Sequence, residues 1–250
     1  MLISIGVAVL TFLAGVAGLY LQKLLPEAHT SERSRDMIGA IVGLVTLELA
    51  LVLGTLIGSA YSFYSTQKSE METLAARALQ LDMVLAQYGP ETQPQRAGMK
   101  QAIEASYHLF WGGGDADARQ LTVSALLPGL KAMEKGLGAL APETPAQKQL
   151  IATAGGQVGL IEQTRLLMSL QLASPVSWPL LGIVVSWSLF LFCGFGLLSR
   201  INATTVTALG VGAFGVASAI FLILELTEPY TGLFRIPPAA LEQTIAALDL

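Results

Sequence analysis

A chain of 250 residues that is 53% hydrophobic and only 13% charged, with a mean hydropathy of +0.60, is far more apolar than an ordinary soluble domain and reads as an integral membrane protein. The net charge of −4 and the absence of a long Lys/Arg block argue against a nucleic-acid partner, which needs a basic footprint. The lone cysteine, Cys193, lies in an apolar run, so neither a disulfide nor a Cys-based metal site can form within one chain.

In chain order, four apolar runs approach or exceed the ~20 residues of a spanning helix: 2–21, 37–61, 180–198 and 203–224. The first has an alternative reading as a cleaved signal peptide, because Ala14, Gly15, Ala17 and Gly18 resemble a small-residue cleavage region. It lacks a basic n-region, however, and its apolar run is too long, so a span is the expectation. Nothing breaks the chain from 37 to 87, where Leu74, Ala78, Leu81 and Leu85 continue at helical spacing. The second span is therefore predicted to run on as one helix of roughly 75 Å, at 1.5 Å per residue. Gly89 and Pro90 stop it, and further helices follow at about 95–110, 118–140 and 145–172, the last opened by Pro145. No alternating β-branched pattern is present. After the fourth span the chain turns at "RIPPAA" and ends with Leu241, Ile245 and Leu248 at helical spacing. That spacing suits a short helix docking on its own domain, with an oligomer clamp as the alternative.

The expected architecture is all-α: spans 1 and 2 in 1–61, a helical extramembrane domain in 62–177 inserted between helices 2 and 3, spans 3 and 4 in 178–224, and a tail with a short helix in 225–250. Basic residues near the membrane ends are evenly divided, so charge does not settle orientation. The charge-free N-terminus and basic first loop lean towards the termini lying outside.

The second span carries the informative pattern. Gly39, Gly43, Gly54 and Gly58 form small-xxx-small pairs on one helix face, suited to close packing on another span or on another subunit. Glu48 lies in the middle of "LVTLELALVLG" and points about 140° away from Gly43, with Thr55 and Ser59 within about 20° of its direction. A carboxylate near the bilayer centre costs roughly 2.5–3.5 kcal/mol on insertion scales and so faces protein or water. Two readings stand: a polar line, Glu48, Thr55 and Ser59, facing a water-filled axis, or a protonated Glu48 hydrogen-bonded to a neighbouring helix. Glu225 and Glu228 close the fourth span; they suit a pore mouth that attracts cations or a helix end anchored in water.

Elsewhere the signals are weaker. His29, with Glu27, Glu32 and Asp36, matches no recognised metal loop and reads as a compensated charged loop. His108, beside Phe110 and Trp111, reads as packing or capping. There is no GxSxG elbow, HExxH or phosphate-binding loop, and "WGGGD" lacks a preceding strand. Neither an enzyme nor a bound cofactor is expected.

The segments "LPEAHTSERSRD", "LVLGTLIGSA", "LDMVLAQYGPE", "INATTVTALGVGAFGVASAIFLILEL" and "EPYTGLFRIPPAAL" occur in an order that resembles the bacterial bestrophin-like membrane domain family across nearly the whole chain. The resemblance implies distant kinship with bestrophins, which are pentameric, chloride-selective channels with four spans per subunit and a large cytoplasmic helical domain. The second span lacks a paired phenylalanine and proline neck pattern, so no pore residue is carried over. Glu48 and "TEPYTG" also depart from the family pattern, and an ionised glutamate in a pore favours cations. The expectation is a homo-oligomeric channel in a bacterial inner membrane, possible pentamers included, with lipid, inorganic ions and copies of itself as partners and the second span along the axis. The alternative is a non-conducting scaffold or sensor that binds a protein through its helical domain; a proton-coupled transporter is a third and weaker option, for want of an inverted repeat.

Overall fold

The computed structural model describes residues 1–26, 32–112, 123–172 and 177–248. Among these, every regular element is helical: α1 (Leu2–Leu24), α2 (Glu32–Tyr88), a short 3₁₀ turn (Pro90–Thr92), α3 (Gln93–Trp111), α4 (Val123–Gly138), α5 (Pro145–Leu172), α6 (Trp178–Leu198), α7 (Ala203–Leu226) and α8 (Ala239–Leu248). Four of them, α1, α2, α6 and α7, are long and apolar enough to cross a membrane. The predicted α5 has its observed bounds, and α2 starts five residues before its apolar run. Glu27, His29 and the "GGD" residues 113–115 lie outside the described residues.

The chain divides into two compact units, Met1–Phe63 with Val176–Thr227, and Tyr64–Pro175 with Glu228–Leu250. In the first, α1 packs along α6 and against α7. Glycine makes this possible: a Cβ on Gly18 would lie 2.1 Å from the Cys193 carbonyl oxygen, and one on Gly196 would lie 2.1 Å from that of Gly15. The small residues that resembled a cleavage region are therefore where two spanning helices bring their backbones together. Val7, Leu19, Val184, Leu191, Leu209 and Ile220 fill the surrounding core. Helix ends are tied locally. The Arg35 guanidinium donates to the Leu198 carbonyl at the end of α6 (2.6 Å), a favourable place for a cation. Asn202 caps α7 by accepting from the Thr205 backbone N–H (2.7 Å).

In the second unit, Ala78, Leu81 and Leu85 of α2 pack with Met99, Leu137, Ala154, Val158 and Ile161. Gly89, at φ +134°, ends α2 in a conformation that favours glycine. Thr144 and Gln147 form a reciprocal capping box around Pro145: the Thr144 hydroxyl accepts from the Gln147 N–H (3.1 Å), and the Gln147 amide oxygen accepts from the Thr144 N–H (3.2 Å). Arg96 holds Asp82 with two bonds of 2.7 and 2.9 Å, and its guanidinium is raised above its ordinary value by that hydrogen bond. The C-terminal segment belongs to the same core. Gln67, fully buried, donates to Gln171 (2.6 Å) and accepts from the Tyr230 hydroxyl (3.1 Å). Arg235 donates to the Phe110 carbonyl and lies over the Trp111 ring. Helix α8 packs on α3 with Leu241 buried, as the tail spacing led us to expect.

Candidate functional site

Helix α2 is the least covered of the four candidate spans. Its apolar window is 11% buried, against 28–33% for the other three, so it presents most of its circumference outside its own chain. The side it keeps is a narrow stripe. Val42 and Leu49 are buried, with Ile38, Val45, Val52, Leu53 and Leu56 packed partly against the same core. This is a spacing of three and four residues that places one line of side chains inward. At Val42 the contact is tight, since a Cβ on Gly194 of α6 would meet the valine methyl at 2.6 Å.

Taking the direction of Leu49 as reference and 100° per residue, Glu48, Thr55 and Ser59 cluster about 100° to one side, and the four glycines centre about 130° to the other. The helix is thus three-faced. Glu48, Thr55 and Ser59 are all exposed in the protomer. The Thr55 hydroxyl donates to the Val52 carbonyl (2.8 Å), the usual local bond of a helical threonine, which leaves its oxygen lone pairs outward. Glu48 forms no hydrogen bond or ion pair with any described residue. Among the described residues of one chain, then, the dry reading in which a neighbouring helix satisfies Glu48 finds no partner.

The glycine stripe likewise has nothing on it. A Cβ at Gly39, Gly43, Gly54 or Gly58 would meet no heavy atom within 4 Å, in contrast with Gly18 and Gly196. Packing of the stripe against another span of the same chain, one of the two sequence readings, is thereby excluded among the described residues. Glu225 lies partly buried in the last turn of α7. Glu228 lies in the following turn, exposed, where its carboxylate accepts from the Thr231 hydroxyl (3.3 Å) and Gly232 adopts φ +78°. The structure groups Glu48, Thr55 and Ser59 on one face, and Glu225 and Glu228 only as neighbours in sequence. Sequence reasoning missed the α1–α6 glycine crossing, whose signal was present as Gly15, Gly18 and Gly196.

Comparison with known proteins agrees with this architecture. No curated protein sequence matches the chain. Among solved structures, a bestrophin homologue from Klebsiella pneumoniae carrying a Leu-to-Thr substitution superposes with a TM-score of 0.66 at 16% identity, covering 98% of this chain and 97% of that one. An Ile-to-Thr variant described in the same words gives 0.65 at 18% identity, covering 98% of both chains. A membrane protein with a Gly-to-Ala substitution gives 0.68 at 15% identity, covering 98% and 96%. At such identities the likeness is one of fold. The bestrophin-like domain itself matches residues 9–241, nearly the whole sequence, and the chain accordingly belongs to the bestrophin-like family of integral membrane proteins.

Proposed function

We propose that the protein is a homo-oligomeric ion channel in which α2 lines the axis, the Glu48, Thr55 and Ser59 line contacts ions, and the glycine stripe packs on the next subunit. The observation that carries the proposal is the three-faced α2, whose intramembrane carboxylate has no partner among the described residues of its own chain. In a closed ring each subunit touches its neighbour through two different surfaces, and a helix beside the axis must serve three directions: its own subunit, the neighbour and the lumen. Directions separated by about 100° and 130° meet that requirement. A glutamate in a wet lumen is solvated, while the same residue facing lipid carries the full insertion cost.

The unit comprising Tyr64–Pro175 and Glu228–Leu250 serves in this proposal as an extramembrane vestibule, inserted between the second and third spans. Glu225 and Glu228 act at the pore mouth, the ring is a pentamer as in bestrophins, and the membrane is the bacterial inner membrane. Reconstitution of the purified oligomer into a planar bilayer under a potassium chloride gradient tests conduction. A current with a defined reversal potential is the expected result. Silence from a preparation shown to be folded and oligomeric overturns the channel reading and favours a non-conducting scaffold that recruits a protein partner.

A further inference from the structure

The second unit contains an open-sided cavity of about 390 Å³ lined by α2, α3, α4, α5 and α8, within the size range of small-molecule sites. Its lining spans Met71 to Leu81 on α2, Pro94 to Phe110 on α3 and Val158 to Leu172 on α5. At 1.5 Å per residue these stretches correspond to roughly 15–24 Å, so the space is long as well as large. The wall is apolar and rich in methionine, with Met71, Met99, Met133 and Met168 contributing; unbranched thioether side chains adapt to a flexible apolar ligand. Among the described residues no Asp or Glu lines it.

One charged group does. Arg165 of α5 lines the cavity and is partly buried. Among the described residues its guanidinium has one partner, the Ser106 hydroxyl at 3.4 Å, and no carboxylate. Burial alone pushes it below the ordinary arginine value, with no acid to offset the shift. Ser106 and Ser169, which also line the cavity, lie beside it on α3 and one turn along α5. A guanidinium offers five N–H donors in a fork that matches a carboxylate, and a desolvated cation is costly until it is paired.

We propose that this cavity binds a long-chain fatty acid, with the carboxylate held by Arg165 and the acyl chain lying among Met71, Met99, Met133 and Val158. Charge complementarity selects a single anionic head, and the long apolar wall selects one alkyl chain. The inference is independent of ion conduction.

The test is native mass spectrometry of the full-length oligomer in an uncharged maltoside detergent, titrated with palmitate or with hexadecanol. The proposal expects saturable addition of one palmitate per subunit, with hexadecanol binding at least tenfold more weakly. Arg165→Gln should weaken palmitate at least tenfold and leave hexadecanol unchanged. Gly98→Leu should weaken both; Gly98 lines the cavity, and a Cβ there meets no atom within 4 Å, so the branch point of the new side chain has room and its bulk projects from the cavity wall. Equal binding of palmitate and hexadecanol, unchanged palmitate binding by Arg165→Gln, or no saturable addition overturns the proposal. So does binding of phosphatidate without palmitate, or dissociation of the oligomer by Arg165→Gln where the wild type takes up no palmitate, which would make the cavity a subunit contact.

Discussion

Glycine has two different jobs in this chain, and single residues separate them. Gly18 and Gly196 lie where a Cβ would overlap the backbone of the opposite helix at 2.1 Å. Overpacking at a close-fitting site typically costs about 1–3 kcal/mol. Gly196→Ala is therefore expected to lower the thermal unfolding midpoint of the detergent-solubilised protein, and an unchanged midpoint would refute the tight α1–α6 crossing. Tyr230 offers a second residue-level test. It is buried, and burial, reinforced by Glu70, raises its phenol above the ordinary value. The folded state then holds that proton more tightly than the unfolded chain, whose tyrosines titrate near ~10. This contribution is fully present below that pH, declines above it, and is lost as the pH rises through the raised folded-state value. Tyr230→Phe should flatten the alkaline fall in stability while costing about 1 kcal/mol at neutral pH for the lost bond to Gln67. Melting curves across the alkaline range read both effects.

At the scale of elements, the spans, the long α2 and the start of α5 were legible because their signals are local: apolar length, uninterrupted helical spacing, and Pro or Gly at the ends. The α1–α6 crossing was not, since it joins Gly15 and Gly18 to Gly196 across roughly 180 positions and no local pattern names the partner. The two faces of α2 were visible at 100° per residue. What the sequence left open was the third face, the Val42–Leu49 stripe; the glycines lie off it and meet no other described residue of the chain. Arg165 carries no local signal in the sequence; its place in a cavity wall depends on five helices meeting. The open glycine stripe carries its own prediction. Leucine at both Gly54 and Gly58 should leave the protomer folded, because a Cβ at either position meets no atom of the described residues within 4 Å, yet weaken association by removing the close approach of subunits. Subunit count by native mass spectrometry and helical content by circular dichroism distinguish the outcomes; an intact oligomer would remove the stripe from the interface.

At the scale of the whole molecule, the central claim is that Glu48 of an assembled ring faces a conducting lumen. An ionised carboxylate there favours cations over chloride, whatever the absolute selectivity of the pore. Reversal potential under a potassium chloride gradient, compared between the wild type and Glu48→Gln, tests this most directly. The prediction is that both conduct and that the substitution moves the reversal potential towards the chloride equilibrium value. Currents that reverse at the same potential in both proteins would contradict it and place Glu48 away from the ion path.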